Sequence, residues 1–562
     1  MSSIRPISSC VLASCLVWTG GALAQTDAGT QLRDVQRAAP QLPAKPAGEV
    51  SADQAAAPVA QDSRRVAVKG FRFSGATLVD EATLQGLVAP FSGKEQTFAD
   101  LSAAARKVAE HYRAQGVLAR AYLPQQAMAD GVVEIAVIEA KFAGLDVESA
   151  DGVRVSAERA RSFYEGEVTG GVVNLDQVAE ETARLNELAG AQASALLTAG
   201  DQPGSTKVKV KLAPVPFVAG AVSLDNAGNY ATGRERLGAN LVLNSPFKLG
   251  DQFLASASVS EGMQYLRGEY LLPVGSKGAK VGVNAFGLDY RVVNGAVLPD
   301  TKGEAHGWGL KGLYPIARKR DLNLTAQLTF DDKVFKNEAS GVELNNRRAK
   351  VTSLNFFGDA PDQSGVTTFG AGLTAGYLTL RNDGDRAADA LTTKRKGHYN
   401  KLTANVGRLQ ALSNTVSLSA GLSAQFADKN LDASEKFVLG GPMGVRGYAV
   451  TEAAGDNGWL LNVELRKQIK DTVSLFAFAD AGGVQVNKNT WAGWNSANTS
   501  ARNRYTLSSV GVGVQWAKAN DFSVRVMAAQ PLGTNPGVDA NGKDSEGKSR
   551  HARLWLLATK YF

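Results

Sequence analysis

Few of the side chains that ordinarily perform covalent chemistry stand where they could perform it. His111, His306, His398 and His551 are scattered with no metal-ligand spacing and read as solvated residues. Cys10 and Cys15 both fall in the first 24 residues, so the chain beyond carries no thiol and no disulfide. No Gly-x-Ser-x-Gly elbow, Walker loop or His-Glu-x-x-His helix occurs. No catalytic residue, cofactor site or metal ligand is therefore assigned, and no enzymatic activity is expected. The remaining candidates are electrostatic. A guanidinium sits in a glycine-rich turn, Leu439-Gly440-Gly441-Pro442-Met443-Gly444-Val445-Arg446-Gly447-Tyr448. A carboxylate sits in Phe478-Ala479-Asp480-Ala481-Gly482. Taken alone, the turn reads as an ordinary surface turn. Asp480 is less ordinary: strand alternation puts Val473, Leu475, Ala477, Ala479 and Ala481 on one face and turns Phe476, Phe478 and Asp480 to the other.

The elements that must carry these groups are strands. Beyond Pro216 the sequence falls into segments of about ten residues in which apolar side chains alternate with small or polar ones. In residues 416–426 every even position is apolar and every odd one is Ser, Gly or Gln. Leu461, Val463 and Leu465 alternate with Asn462, Glu464 and Arg466, and Val510, Val512, Val514 and Trp516 with Ser509, Gly511, Gly513 and Gln515. Between residues 217 and 562 there are sixteen such segments, an even number, as a bacterial barrel requires. Apolar outside and polar inside suits a closed barrel in lipid, where an open sheet edge would find no hydrogen-bond partner. A soluble β-sandwich would also alternate, with longer charged residues on its polar face. The last strand carries Leu554, Leu556 and Ala558 on one face and ends on Phe562, with Lys560 where another aromatic would be usual; its ammonium can snorkel to water at a membrane rim.

Upstream the texture differs. Residues 1–24 read as an export signal, with Arg5, an apolar run from Val11 to Trp18, and Ala22-Leu23-Ala24 before the cut. Leu12-Ala13-Ser14-Cys15 resembles a lipoprotein processing box, but the apolar run continues past Cys15. Residues 25–64 form a linker with one short helix predicted over 30–38, where Leu32 and Val35 are three apart. Residues 65–138 and 139–214 then repeat one order, β-α-α-β-β. The first repeat has strands at 66–73, 118–124 and 132–138 and helices at 79–88 and 98–115. The second has strands at 139–147, 192–198 and 206–212 and helices at 156–164 and 175–188. Phe71, Phe73, Tyr112 and Tyr122 read as core of the first unit.

Together these stretches resemble the two-partner secretion transporter family, whose members export haemolysins and filamentous adhesins and belong to the barrel-assembly superfamily. The resemblance rests on Val445-Arg446-Gly447-Tyr448, on Phe478, Asp480 and Gly482, and on the tandem units, which resemble polypeptide-transport-associated (POTRA) domains. It spans residues 66–562 and implies two small α+β POTRA domains before a 16-stranded antiparallel outer-membrane β-barrel at 215–562. It also implies that Arg446, in a loop folded back into the lumen, pairs with Asp480 on the wall; strand alternation by itself turns Glu464 and Arg466 to the lumen, where they read as pore lining rather than machinery. The expected location is the outer membrane of a Gram-negative bacterium with the POTRA units in the periplasm. The expected partners are a large unfolded secreted exoprotein received by those units, outer-membrane lipid, and the barrel-assembly machinery for insertion. The short N-terminal helix would plug the lumen at rest. An assembly factor for other barrels shares the motifs but carries more periplasmic units, and a diffusion porin would leave residues 66–213 unexplained.

A net charge of +7, from 61 basic and 54 acidic residues, is not gathered into a stripe, so no nucleic-acid partner is expected. No run approaches the roughly 18 consecutive apolar residues of a membrane-spanning helix.

Overall fold

The structure, a computed structural model, describes residues 27–38, 50–52, 65–126, 130–165, 171–295, 298–496, 498–549 and 551–562. The export signal at 1–24, with the competing lipoprotein box, and most of the linker lie outside these residues.

The first described element is helix α1 (Ala28–Ala38). It begins two residues before the predicted start because the Asp27 carboxylate caps it, accepting from the Gly29 N–H at 2.8 Å. The next is a three-residue strand, β1 (Val50–Ala52).

The first α+β unit follows: β2 (Arg65–Val68), β3 (Gly70–Ser74), α2 (Glu81–Val88), β4 (Lys94–Thr97), α3 (Phe98–Ala114), β5 (Ala119–Tyr122) and β6 (Val132–Glu139). A Thr97/Asp100 capping box starts α3. Its stripe of Leu101, Ala104, Ala105, Val108 and Tyr112 is buried against the sheet. Two features depart from the predicted order. The single expected strand at 66–73 breaks at Lys69, so that β2 pairs with the unpredicted β4 while β3 runs parallel to β6. Tyr122 is not core: period two on β5 turns Ala119 inward and leaves Tyr122 37% exposed, its ring beneath the Arg120 guanidinium.

The second unit comprises β7 (Lys141–Ser149), α4 (Ala157–Arg161), α5 (Leu175–Leu185), β8 (Ala191–Ala199) and β9 (Ser205–Pro214). Helix α5 stops three residues before its predicted end because the Asn186 side chain locks onto the Ala193 backbone, donating at 2.9 Å and accepting at 2.8 Å. The sheet order is β1-β8-β9-β7, so the strand from the linker covers one edge of this unit.

Sixteen strands then close a barrel in which each pairs antiparallel with its neighbours. They begin with β10 (Val218–Asp225), β11 (Arg236–Asn244), β12 (Gln252–Ser260), β13 (Met263–Val274), β14 (Ala279–Arg291), β15 (Thr301–Arg318), β16 (Asn323–Ala339) and β17 (Val342–Asp362). The second half is β18 (Gly365–Leu380), β19 (Gly397–Ala411), β20 (Val416–Ala427), β23 (Asn457–Lys470), β24 (Val473–Gln485), β25 (Arg504–Lys518), β26 (Phe522–Leu532) and β27 (Arg553–Tyr561). The loop between β20 and β23 holds a small hairpin, β21 (Phe437–Val438) and β22 (Ala454–Gly455). The barrel closes by five residue pairs between β10 and β27, Ala221↔Tyr561 to Asp225↔Leu557. Leu266, Leu373, Phe426, Val512, Trp516 and Leu554 are all exposed on its outer face, as a wall facing hydrocarbon requires.

The second α+β unit abuts one end of the barrel and so defines its periplasmic side. Arg154 donates to the carbonyls of Ser245 and Pro246 in the β11–β12 turn and stacks on Phe217. Glu187 pairs with Lys280 at 3.0 Å and Arg318 at 2.8 Å. The loop between β20 and β23 therefore starts from the opposite, extracellular end.

Candidate functional site

Residues 428–456 do not extend outward from the barrel. They fold back inside it and carry the glycine-rich turn to the inner wall formed by β23–β27. Strand register decides what the turn meets. Asn462 on β23, Asp480 on β24 and Ser509 on β25 stand in one row, Asn462↔Asp480↔Ser509, and all three point inward.

Arg446 docks on this row. Its backbone N–H donates to Asp480 Oδ2 at 3.0 Å, its Nε to the same oxygen at 3.0 Å, and its Nη2 to Oδ1 at 2.7 Å. Asn462 Nδ2 and Ser509 Oγ also donate to the Asp480 carboxylate, at 2.7 and 3.0 Å. The guanidinium lies over Phe478, with Cζ 3.5 Å from the ring centroid. Trp555 on β27 donates its indole N–H to the Arg446 carbonyl at 2.7 Å. Arg446 and Asp480 are 4% and 3% exposed, so the pair sits in a dry pocket rather than a water-filled bore.

The other members of the two motifs make this close docking possible. A Cβ on Gly447 would fall 2.8 Å from Ser509 Cβ and 2.9 Å from the Pro531 nitrogen, and one on Gly482 would fall 2.5 Å from Leu439 Cδ2. Val445 is fully buried beside Leu439, and Tyr448 donates its hydroxyl to the Leu532 carbonyl at 3.3 Å.

Glu464, expected to line the pore, belongs to this cluster. It accepts from Arg446 Nη1 at 2.8 Å and from Arg466 at 2.9 Å, and it also pairs with Arg525 on β26. Alternation placed it on the inner face, but its pairing was not visible until the Arg446 loop descended onto it. Asn462, Ser509, Arg525 and Trp555 were missed for the same reason, since each becomes a partner only through cross-strand register.

A second cluster lies across the lumen. Helix α1 sits inside the barrel, with Ala28, Leu32 and Val35 packed on Tyr265, Phe286, Leu288, Tyr290, Phe335 and Ala349 of β13–β17. The Ala28 N–H donates to Asn337 Oδ1 at 2.9 Å, and the Asp27 carboxylate pairs with Arg347 on β17. The same guanidinium donates to Asp432, at the start of the inward loop, at 2.7 Å. Arg33 donates to the Ala433 carbonyl, and Arg37 to the carbonyls of Val438 and Met443. Beside the helix remains a cleft of about 630 Å³ lined in part by Arg33, Arg37, Lys401, Asn405, Gln425 and Asn462. Among the described residues no group of His, Cys, Asp and Glu could hold a metal ion.

A closed sixteen-stranded barrel with lipid-facing strands, an inward loop pinned by arginine, and two periplasmic α+β units together define a protein-conducting barrel of the outer membrane. Residues 204–516 match the family described as haemolysin secretion/activation protein ShlB/FhaC/HecB, and residues 66–140 match its ShlB-type POTRA domain. The chain belongs to this family of two-partner secretion transporters. It is similar to the heme/hemopexin transporter protein HuxB of Haemophilus influenzae (strain 86-028NP), at 25% identity over 96% of each chain. The outer membrane transporter CdiB of Dickeya dadantii (strain 3937) is 23% identical over 75% of this chain and 76% of its own. Among solved structures, CdiB from Escherichia coli superposes with a TM-score of 0.65 at 20% identity, covering 100% of both chains, a likeness of fold. The protein is thus an outer-membrane transporter that moves a secreted partner protein to the cell surface, with its POTRA units on the periplasmic side.

Proposed function

We propose that the client is a large exoprotein of adhesin, haemagglutinin or haemolysin type, received unfolded by the POTRA units and threaded through the lumen without ATP. The observation that carries this reading is the lumen itself. One occupant, helix α1, is joined to the rest of the chain only through residues 39–64 and can leave, whereas the other, the Arg446 loop, is built into the wall. Folding of the client outside the cell would supply the direction, and a POTRA sheet edge would capture it as an added strand through main-chain hydrogen bonds that tolerate many sequences. Val445, Arg446, Gly447 and Tyr448 form the inward-loop motif, and Phe478, Asp480 and Gly482 the wall motif that seats it. Insertion of this barrel by the barrel-assembly machinery belongs to the same reading.

Replacing Arg446 with Ala is expected to abolish export while the barrel still inserts; normal export by that variant would remove the role assigned to the motif. The rival reading, assembly of other barrels, shares the Arg446 and Asp480 motifs. Depleting the protein separates the two, since an exporter leaves other outer-membrane barrels at normal levels.

A further inference from the structure

Two of the four histidines, scattered in the sequence, are brought by strand register onto the outer face of the barrel. His306 stands in the row His306↔Val334↔Arg348↔Thr379, and His398 ends the next row, Trp308↔Asp332↔Lys350↔Tyr377↔His398. Arg347 and Ala349 face the lumen, so alternation turns Arg348 and Lys350 outward. Trp308 and Tyr377 are exposed, and Tyr377 packs edge-on against His398, with ring centroids 4.7 Å apart. Further toward the periplasm runs a row of exposed leucines, Leu328↔Leu354↔Leu373↔Leu402. The aromatic row therefore marks the edge of the hydrocarbon, where amphipathic rings settle. At and above that edge the face is basic. Arg348 donates from Nε to Asp332 at 2.7 Å. Lys350 and Arg381, both exposed, form no ion pair among the described residues, although both stand within electrostatic reach of the same carboxylate. Arg381 continues β18 in outward phase, its N–H bonded to the Asn346 carbonyl. The corresponding end of the opposite wall, the row Asn457↔Gln485↔Arg504 on β23–β25, carries one cation, and it donates to Gln485.

We propose that this patch on the outer face of β16–β19 is a binding site for a phosphorylated glycolipid of the outer leaflet, its acyl chains on the leucine row and its phosphates on Lys350 and Arg381. Position selects the leaflet: the patch lies at the end of the barrel away from the second POTRA unit, on the extracellular side. Width selects the chains, because the leucine row crosses four strands, roughly 14 Å, and suits a lipid with more than two of them. Spacing selects the head group. Lys350 is level with Tyr377, and Arg381 comes four residues later on the same strand line, so their backbones stand roughly 14 Å apart. A head of two sugars with a phosphate at each end matches that span, whereas one phosphodiester would meet only one of the two cations. Arg348 takes up Asp332, the carboxylate beside them, which would otherwise repel a phosphate.

The test uses the full-length protein in detergent micelles, stripped of co-purified lipid, with the barrel's fold followed by its heat-dependent mobility on electrophoresis. The probe is purified bisphosphorylated lipid A, counted on the protein by native mass spectrometry. Wild type is expected to hold a single molecule, and the double variant Lys350→Gln and Arg381→Gln to bind it about thirtyfold more weakly, through the two cations removed. Lipid A without its phosphates should bind wild type as weakly as intact lipid A binds the double variant. The charge-keeping pair Lys350→Arg and Arg381→Lys should bind like wild type, and Arg504→Gln on the opposite wall should change nothing. Arg348 is left in place because its removal would free Asp332, and Arg347 because it holds helix α1. Equal binding of the phosphorylated and dephosphorylated lipids would overturn the assignment, as would full binding by the double variant or an equal loss in Arg504→Gln. Should the double variant fail to fold, the two titrations of wild type still decide. If phosphatidylglycerol competes on equal terms with lipid A, the patch is a general surface for anionic lipid and the glycolipid site is overturned.

Discussion

The lumen has two occupants, and they are held by different physics. The Arg446 loop is continuous with barrel strands at both ends, and its tip is fixed by charge-assisted bonds to Asp480 and Glu464 in a pocket closed by Phe478 and Trp555. Helix α1 is anchored to the wall by an ion pair at its start, Asp27 to Arg347, by hydrogen bonds with Asn337 and Thr232, and by the apolar contacts of Leu32 and Val35. Toward the loop its arginines donate to backbone carbonyls, at Ala433, Val438 and Met443. Water or another peptide can replace bonds of that kind, whereas nothing ordinary replaces the carboxylates facing Arg446. The difference also has a direction: the helix leans on the loop, and the loop leans on the wall.

The sharpest way to break this comparison is Asp480→Ala. It removes the carboxylate that the Arg446 backbone N–H, Nε and Nη2 donate to and leaves the buried guanidinium with Glu464 as its remaining carboxylate partner, which costs up to about 3 to 5 kcal/mol. The loop should become accessible to protease, and the helix, having lost the carbonyls it rests on, should leave as well. The expected outcome is loss of export together with raised conductance through an intact barrel. A variant whose loop is cut while the helix stays seated would show that the two occupants are independent.

The converse substitution is milder. In Asp27→Asn the cap on Gly29 is kept, but the charge-assisted bond to Arg347 is weakened, a loss of about 1.5 to 3 kcal/mol. Conductance should rise roughly ten- to a hundredfold in open probability, following the helix, while loop protection stays at the wild-type level. Loop cleavage in this variant would reverse the order of dependence argued above.

How much of this could be read beforehand follows from the range of each signal. The barrel was legible because alternation is local: each of its strands repeats the rule within a few residues, as residues 416–426 do. The Arg446 and Asp480 motifs were legible through a resemblance, with alternation putting Asp480 on the inner face. The Arg347 node was not, because its partners Asp432 and Asp27 are 85 and 320 residues away and meet it only once the barrel has closed around them. Strand β1 was read as linker for the opposite reason: three residues are too few to show a period. Strand β4, with exposed Lys94 and Glu95, has no apolar face to announce it, and β2 was merged with β3 because the chain changes sheets at Lys69 without a turn residue.

The smallest effect belongs to a perturbation that should move neither occupant. In the first POTRA unit, burial alone would raise the Glu139 carboxyl, but hydrogen bonds from the Thr77 hydroxyl, the Leu78 and Thr77 N–H groups and the Tyr112 hydroxyl outweigh it and hold the group below its usual range. A carboxyl lowered on folding contributes stability that is complete above the unfolded value of about 4.3 and is lost as pH falls through the folded one. Hydrogen exchange at the amides of α3 should therefore accelerate as the medium is acidified below about pH 4. Glu139→Gln should show faster exchange already at neutral pH, by about 1 to 2 kcal/mol, and much less change on acidification. Protection of the loop and helix α1 in that variant should match wild type at neutral pH. If either were loosened, the stability of the first POTRA unit would be coupled to the lumen, and the two occupants could no longer be described by their contacts with the barrel alone.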